Sequence, residues 1–397
     1  MKILMLCDFF NESLEYQENL LVKYYAKHGH RVTVVTSTFE SVFEYYADRH
    51  DKTLPERRYE HGGARIIKLR YRYNVLNKLR AFPAIDSLLE AEAPQLIFVH
   101  DIMLNLLDCV RYAKRHPSCR MIMDYHADYS NSGKNALSLK FLHGVCRKWF
   151  LDRARPHLSK IFPIVPAGAT FLHEIYKIPY ADMEILPLGA DTDLASAVRR
   201  SAPGRALRRC LGIPDDATVI FTGGKLAPAK RTEVLLQALG LLRHLCLHVV
   251  VVGEASDEHA SYKAELERLA LTDSRIHMTG WLNREDIYAH LDMADLAVFP
   301  ASQSILWQQA IAMGLPLVVG NTGHQDAAYL NLHENIVILE RDEICVEHLA
   351  GTIRALFEQP ARMAQMRAGA EKVANEQLNW DRLILRTLRF NQMPESA

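Results

Sequence analysis

Two lysines, Lys225 and Lys230, lie five positions apart between an apolar run and a segment of helical period. The loop opens with Gly223 and Gly224, which let the backbone approach a ligand closely. Positive side chains beside the free N–H groups of a helix N-terminus would stabilise a leaving diphosphate. The segment is not a P-loop, because Leu226 stands where Ser or Thr should follow the lysine. A solvated basic turn is the alternative explanation.

A second polar cluster follows the apolar run 296–299. Ser302, Gln303 and Ser304 begin a helical pattern, and Gln309 lies within its first turns. Their hydroxyl and amide groups could bind ribose or sugar hydroxyls. Simple capping of the helix by Ser302 or Ser304 is the alternative, and local chemistry alone favours it.

Histidines stand at the ends of two further apolar runs. His100 closes the run 96–100, and His126 follows the run 121–125. Strand ends are where ligands bind in parallel sheets. A single histidine is nevertheless more often a structural residue than a catalytic one, so position alone does not decide the role of either.

The fold must bring these segments to one edge of a sheet. Short runs rich in Val, Ile and Leu alternate with segments of helical period, which is typical of buried parallel strands joined by crossover helices. The predicted strands are 3–7, 32–36, 65–69, 96–100, 121–125, 161–165, 219–222, 247–252, 276–279, 296–299, 317–319 and 336–339. The sequence therefore predicts doubly wound α/β architecture, in which ligands bind beyond the carboxyl ends of the strands.

Length and composition limit the class of protein. The 397 residues suggest two domains, and the arginine-rich, turn-rich segment 195–214 is predicted as their linker. Lys plus Arg and Asp plus Glu both number 47, so no net field attracts nucleic acid. The seven cysteines are scattered without a C-x-x-C pair, which argues against a disulfide framework or a zinc site and favours a reducing cytosol. We expect neither a signal peptide nor a membrane span, because no apolar stretch approaches ~20 residues.

Several longer motifs resemble the family-4 glycosyltransferases of the GT-B fold. In the order of that family they are GHRVTVVTS, LPLGADTD, GGKLAPAK, Gly280-Trp281, ADLAVFPASQS and QAIAMGLPLVVGNTG, which span most of the chain. The resemblance implies an α/β GT-B fold with two Rossmann-like domains facing each other across a cleft. It places the acceptor-side domain at 1–195 and the nucleotide-sugar-binding domain at 196–375. The helix within 376–397 would cross back to the first domain.

The resemblance also assigns roles. Lys225, where the family usually has Arg, and Lys230 would contact the donor diphosphate, and His126 would lie beside the donor sugar and the acceptor hydroxyl. Asp326 stands where the family often has a Glu near the donor sugar, although it could equally be an N-cap. The implied donor site comprises Gly223, Gly224, Lys225, Lys230, Ser302, Gln303, Ser304, Gln309 and Asp326. No cofactor or metal is implied, because two cations and a helix N-terminus do what magnesium does elsewhere.

One family signature is missing. The family has two glutamates separated by seven residues, whereas the aligned positions here are Ala301 and Gln309. Glutamine can bind ribose, but it supplies no negative charge to an oxocarbenium-like transition state. Either Gln303 or Ser304 has taken the first role, or the site is catalytically altered.

The implied activity is transfer of a hexosyl group from a nucleotide-diphosphate sugar to an acceptor hydroxyl with retention. The family-level setting is bacterial envelope polysaccharide or glycolipid assembly. A sugar-nucleotide epimerase of similar build is one alternative, although residues 296–325 contain no acidic pair for it. A nucleotide-sugar-binding scaffold without turnover is another, motivated by the missing glutamates.

A basic, aromatic segment at 133–156 offers a partner surface. It contains six lysines and arginines but a single acidic residue. Leu142, Val145, Cys146 and Trp149 share a helical face. Such a helix could lie on the cytoplasmic face of an anionic membrane, where a lipid-linked acceptor would be presented. Ordinary packing on the first domain is an equal alternative. The expected location is cytoplasmic, with this surface as the point of peripheral contact.

Overall fold

The computed structural model describes residues 1–12, 16–39, 45, 55–132, 136, 138–301, 303–323 and 326–389. The chain divides into two compact units. The first consists of Met1–Pro187 together with Trp380–Ala397, and the second is Leu188–Asn379. Each unit is built around its own parallel sheet.

The strands alternate with helices along most of the chain. The strands are β1 Lys2–Leu6, β2 Arg31–Ser37, β3 Arg57–His61, β4 Ala64–Leu69, β5 Tyr73–Val75, β6 Leu79–Ala81, β7 Leu96–His100, β8 Arg120–Tyr125, β9 Leu158–Pro163, β10 Thr218–Gly223, β11 Leu247–Val252, β12 Ile276–Gly280, β13 Leu296–Phe299, β14 Leu317–Gly320 and β15 Ile336–Leu339. The twelve predicted strands are all present, with ends shifted by a few residues.

Most helices connect successive strands, and the last three follow β15. The helices are α1 Gln17–Lys27, α2 Asp86–Glu92, α3 Leu106–Arg115, α4 Lys148–Ala154, α5 Pro166–Tyr176, α6 Thr192–Ser201, α7 Gly204–Cys210, α8 Thr232–Leu241, α9 Ala260–Thr272, α10 Arg284–Asp292, α11 Leu306–Ala312, α12 Val346–Phe357, α13 Pro360–Val373 and α14 Trp380–Leu388. Two π-helices, Ser138–Arg147 and Ala374–Leu378, precede α4 and α14.

The sheet of the first unit has the order β3-β4-β2-β1-β7-β8-β9. All its neighbours are parallel except β3 and β4. Strand β1 shows why an apolar run predicted a buried strand. Leu4 and Leu6 pack into one core, while Ile3 and Met5 pack into the core on the opposite face of the sheet. A strand buried on both faces is apolar at successive positions, as the sequence predicted.

The C-terminal helix α14 belongs to the first unit. Trp380, Leu383 and Ile384 are buried in the same core as Ile3 and Met5. The hydroxyl groups of Tyr25 and Thr387 add a buried hydrogen bond of 2.5 Å. The return of the chain to the first unit is the crossing implied by the resemblance.

The second unit has an all-parallel sheet of order β12-β11-β10-β13-β14-β15. The segment predicted as a linker differs from expectation, because it forms α6 and α7 within this unit. Arg208 explains the difference: its guanidinium donates to the carbonyl groups of Met293 and Ala217 and to the carboxylate of Asp295. The composition indicated that Arg208 would be solvated, whereas in the structure its guanidinium is partly buried and hydrogen-bonded.

Three strands were not predicted. Strand β3 is a mostly exposed, charged edge strand, which lacks the apolar run that marks a buried parallel strand. Strands β5 and β6 form a separate antiparallel hairpin of three residues each. Its turn places Leu76 and Asn77 in the left-handed region, at φ of 53° and 54°.

Candidate functional sites in the two units

The donor-side residues of the second unit lie at the carboxyl edge of its sheet. Gly223 ends β10, and the following loop runs through Gly224 and Lys225 to a short 3-10 turn that contains Lys230. The loop after β13 contains Gln303 and Ser304. Because β10 and β13 are neighbours in the sheet, these two loops lie side by side.

The glycines are required by close packing against the loop after β11. A Cβ atom on Gly223 would lie 2.3 Å from the carbonyl oxygen of Val252, and one on Gly253 would lie 1.9 Å from that of Gly224. The Gly224 N–H donates to Val252 at 2.9 Å, and the Leu226 N–H donates to Glu254 at 2.9 Å. The loop is therefore held in one conformation by its neighbour.

Lys230 is the most unusual cation of this group. Its ammonium nitrogen donates to the carbonyl oxygen of Gln303 at 2.5 Å. Burial lowers the pKa of Lys230 to about 8. Among the residues that the structure describes, Lys230 makes no ion pair, so its desolvated charge is balanced by a carbonyl dipole alone.

The neighbouring positions are less constrained. Lys225 is exposed, with its Nζ atom 3.5 Å from Glu258 Oε1. The hydroxyl of Ser304 accepts from the N–H of Leu306 at 3.3 Å, and Ser304 stands one residue before Ile305, the N-cap of α11. Ser302 lies outside the described residues.

The helix N-terminus beside the lysines differs from expectation. The N–H of Thr232, at the start of α8, donates to the hydroxyl of Tyr262 at 2.8 Å. That hydroxyl donates in turn to Glu233 at 2.5 Å. The N–H group is therefore already satisfied, and an acidic side chain lies beside it, because α9 brings Tyr262 across the end of α8. The positive charge at this site comes mainly from the lysines.

The positions of the missing glutamates are now defined. Ala301 is buried at 1% exposure and has no group that could reach a ligand, while Gln309 is 3% exposed on α11. Asp326 is exposed, and its Oδ1 atom accepts from the N–H of Ala328 at 2.9 Å. Asp326 stands one residue before Ala327, which is the N-cap of the 3-10 turn Ala328–Leu330.

One Asp-x-Asp spacing, Asp191 and Asp193, occurs outside these loops. The side chain of Asp191 is fully buried at the start of α6, where it accepts from the N–H of Leu194 at 3.1 Å. Its other oxygen lies 3.9 Å from Arg284. Asp191 therefore caps the helix, and Asp193 lies in its first turn.

In the first unit, His100 and His126 meet at one carboxylate. Oδ2 of Asp124 lies 2.8 Å from Nδ1 of His100 and 3.1 Å from Nε2 of His126. Asp124 is fully buried, and His100 is 5% exposed. Glu18, in the first turn of α1, has its Oε1 atom 3.9 Å from Nδ1 of His100. The cluster lies at the carboxyl ends of β7 and β8, which are adjacent strands.

These separations are those of close ion pairs. Metal–nitrogen bonds of about 2.0–2.1 Å in a tetrahedral site keep ligand atoms roughly 3.3 Å apart. The 2.8 Å separation between His100 and Asp124 is instead the length of a charge-assisted hydrogen bond. Burial favours the neutral form of each histidine, but the nearby carboxylate of Asp124 outweighs it and raises the pKa of both, that of His126 to about 10. Burial likewise opposes ionisation of Asp124, and the two histidines hold its pKa well below the ordinary range.

Sequence reasoning singled out both histidines but missed Asp124 and Glu18. The signal for Asp124 was present, since a charged residue inside the buried run MIMDY requires a partner. Glu18 carried no such signal, because an acidic residue in the first turn of a helix is common for electrostatic reasons.

Two family models match most of the chain. Residues 19–194 match the model described as Glycosyltransferase Family 4, and residues 216–359 match the model described as Glycosyl transferases group 1. A D-inositol 3-phosphate glycosyltransferase of Stackebrandtia nassauensis is 27% identical over 51% of this chain and 47% of its own length. A lipopolysaccharide 1,2-N-acetylglucosaminetransferase of Salmonella typhimurium is 31% identical over 35% of this chain and 37% of its own length. The chain spans about half the length of the first curated relatives it matches.

Solved structures confirm the fold class. The Anabaena HepE protein in complex with UDP aligns with a TM-score of 0.68 at 18% identity, over 98% of this chain and 100% of the other. WaaG, a glycosyltransferase involved in lipopolysaccharide biosynthesis, aligns with a TM-score of 0.61 at 18% identity, over 98% and 99%. The prediction of two Rossmann-like domains with parallel sheets is therefore correct. Within the described part of the chain, the structure contains no helix with the length and apolarity needed to span a membrane.

Proposed function

Because the chain belongs to the family-4 glycosyltransferases of the GT-B fold, we propose that it transfers a hexosyl group from a nucleoside-diphosphate sugar to an acceptor hydroxyl with retention. The observation that carries this proposal is the half-buried ammonium group of Lys230, held by the carbonyl of Gln303 without a carboxylate among the described residues. A desolvated cation of this kind is costly unless an anion completes it. The diphosphate of a nucleotide sugar is the anion that the family supplies.

The lysines give this site its chemical role. As the bond from the sugar to the diphosphate breaks, negative charge grows on the leaving oxygen, and Lys230 with Lys225 offsets it. In a retaining transfer the acceptor attacks from the side that the diphosphate leaves, and the diphosphate takes the proton of the acceptor hydroxyl. The two ammonium groups supply charge that magnesium supplies in other transferases, so we propose a metal-independent reaction.

The remaining donor contacts follow from the same loops. Gly223 and Gly224 bring the backbone close to the phosphates, and Gln309 takes the ribose contact of the missing glutamate. The donor sugar contact falls to Gln303 or Ser304, with Ser302 and Asp326 as further polar groups. His126 of the first unit contacts the substrate by the family's assignment.

A nucleotide-sugar-binding protein without turnover is the second candidate. Its support is Ala301, which is buried where the family has its first glutamate. The experiment that separates the two candidates incubates the chain with UDP- and GDP-hexoses and follows release of the nucleoside diphosphate. Proton NMR then identifies the anomer formed first. Release of one nucleotide with an initially retained anomer supports transfer, whereas binding without release, even with glycan and lipid-linked acceptors added, supports the scaffold.

The π-helix Ser138–Arg147 and α4 of the first unit carry an exposed surface that could bind a membrane, where an envelope acceptor would be presented. In the π-helix and α4, Phe141, Val145 and Trp149 are exposed at intervals of four residues. Arg153 stacks on the ring of Trp149, with its guanidinium carbon 3.4 Å from the ring centroid. The buried side chains of these two helices are His143, Leu151 and Ala154. One face therefore packs, and the other presents aromatic and basic groups together, the combination that binds the interface of an anionic membrane.

The hairpin β5–β6 extends this surface. Its exposed apolar residues are Tyr73, Val75 and Leu76. Arg147 of the π-helix donates to the carbonyl oxygen of Lys78 in this hairpin at 3.1 Å. The two elements are thus linked, and we propose that both contact the cytoplasmic face of the membrane, where a polysaccharide or glycolipid acceptor would be assembled.

Replacement of Phe141 and Trp149 by serine should weaken membrane binding at least tenfold. The reason is the loss of two aromatic side chains, each of which contributes about 1.5–3 kcal/mol when buried. The measurement is co-sedimentation with vesicles of phosphatidylethanolamine and phosphatidylglycerol at low and high salt. The control is Leu271→Ser, because Leu271 is 89% exposed in the second unit. Equal binding of all three proteins to the vesicles would contradict the proposal.

The affinity for a nucleoside diphosphate should fall as pH rises above about 8. The pKa of Lys230 is lowered by burial to about 8, so its charge is present below that pH and is lost above it. Binding at higher pH must then recruit a proton, which weakens affinity by up to about tenfold per pH unit. Calorimetry in two buffers of different ionisation enthalpy would detect this proton uptake. In Lys230→Met the same pH dependence should be absent, and its persistence would assign the effect to another group.

A further inference from the structure

The pairing of two histidines with one buried carboxylate has a consequence for how His126 can act. We propose that Asp124 and His100 are positioning residues, which fix the ring of His126 so that its Nδ1–H donates a hydrogen bond to an oxygen of the substrate. This inference rests on the proposed function, because it assigns a role within the same reaction.

The geometry determines which nitrogen is available. Nε2 of His126 is buried and lies 3.1 Å from Oδ2 of Asp124. The side chain of His126 is 28% exposed, so the ring is accessible from its other side. A ligand would therefore meet Nδ1. That nitrogen is a donor if the ring is cationic and an acceptor if the ring is neutral.

The charges around the ring favour the cation. Asp124 on β8, Asp101 at the end of β7 and Glu18 on α1 all raise the pKa of His126. The positive groups that face the cluster are His100 on β7, beside Asp124, and Arg147 on the π-helix, beside Asp101. Burial opposes the charge, and the carboxylates outweigh it. At neutral pH both ring nitrogens of His126 then carry protons.

A cationic His126 excludes the role of general base. To act as a base, His126 would need a neutral ring with a lone pair on Nδ1. A histidine that is oriented by a single carboxylate has this neutral form. Here the ring keeps both protons throughout, and no bond to it forms or breaks. The proton of the acceptor hydroxyl goes to the departing diphosphate, and the hydrogen bond from Nδ1–H stabilises a substrate oxygen.

His100 has a different task. Its ring stacks on Phe98 with centroids 4.8 Å apart, and its Nδ1 atom holds the oxygen that also faces His126. Two contacts to one oxygen restrict the rotation of the Asp124 side chain. Loss of His100 should therefore disturb the orientation of His126 without removing its charge.

The pH dependence of kcat/KM distinguishes these roles. In the wild type the basic limb of this profile should lie near pH 8, where Lys230 loses its charge, because the pKa of His126 is raised to about 10 and its ring stays cationic there. In Asp124→Asn the fall of kcat/KM on the basic side should move to roughly pH 6.5, the ordinary histidine pKa, because His126 loses the carboxylate beside it. In His100→Asn activity should fall about tenfold with the basic limb unchanged. A uniform loss in both variants would indicate a structural role only, and wild-type activity that rises steadily with pH up to about pH 8 would indicate a base.

The charge of His126 can be measured without any activity. Nitrogen-15 spectra of histidine-labelled protein, assigned with His126→Gln, report whether both ring nitrogens are protonated at pH 8. We expect the cationic pattern in the wild type and the neutral pattern in Asp124→Asn, with folding of each variant checked by circular dichroism. A neutral ring in the folded wild type would overturn the inference. A cationic ring in a chain that binds no nucleotide sugar would leave this geometry intact and contradict the proposed function instead.

Discussion

The Lys230→Met variant is expected to bind nucleoside diphosphates about 100-fold more weakly than the wild type. A charge-assisted hydrogen bond to phosphate contributes up to about 3 kcal/mol, and tenfold in affinity corresponds to about 1.4 kcal/mol. Methionine keeps the length and apolar surface of lysine, so the change removes the charge with little loss of packing. Because the wild-type ammonium is desolvated and, among the described residues, is held by the Gln303 carbonyl without an ion pair, the variant should melt at the same temperature as the wild type or higher.

Two matched variants make this prediction specific. Lys225→Met removes an exposed lysine from the same loop and should weaken binding by less than about tenfold. Lys372→Met removes an exposed lysine from α13 and should leave binding unchanged. Calorimetric titration with UDP and GDP measures all three. Equal affinities for Lys230→Met and Lys372→Met would remove the main support for the diphosphate site.

The Gly253→Ala variant is expected to lose at least about 3 kcal/mol of unfolding free energy, or to displace the glycine loop and lose nucleotide binding. Gly253 has a φ of +135°, which strains any other residue. The added Cβ would lie 1.9 Å from the carbonyl oxygen of Gly224, a backbone atom that cannot turn away as a side chain would. The N–H of Gly253 is also fixed, since it donates to Gly280 at 2.8 Å.

Gly351→Ala is the matched control for this change. Gly351 lies in α12 with open space around the position of its Cβ. Alanine favours a helix by about 1 kcal/mol relative to glycine, so this variant should be slightly more stable. Chemical denaturation measures both free energies. Similar stabilities for the two variants, with nucleotide binding retained in Gly253→Ala, would contradict the close packing of the loop after β10 against the loop after β11.

The buried parallel strands were predictable because burial on both faces leaves a continuous apolar run. Strand β3 escaped notice because an exposed antiparallel edge has no such run. The segment 195–214 misled for the opposite reason, since arginines suggest solvent, yet Arg208 binds main-chain carbonyls within the second unit. Composition reports the chemistry of a side chain, and only the fold reports its partners.

The candidate sites divide in the same way. Lys230 was identified from spacing and resemblance, but its hydrogen-bond partner, the Gln303 carbonyl, lies 73 positions further along the chain. The charge of Asp124 inside a buried strand indicated that it needs a partner, but which partner that is depends on β7, which places His100 against it. The N–H groups at the start of the helix after the lysines were expected to face a ligand, but the N–H of Thr232 donates to Tyr262 of α9. Long-range partners decide these roles, and one sequence does not reveal them.

The central claim is that this chain binds the diphosphate of a nucleotide sugar. The most direct test is calorimetric titration of the wild type with UDP and GDP, each compared with its nucleoside monophosphate. We expect one diphosphate to bind at least about tenfold more tightly than its monophosphate, since the second phosphate meets a lysine. Absence of binding by either diphosphate would contradict the claim.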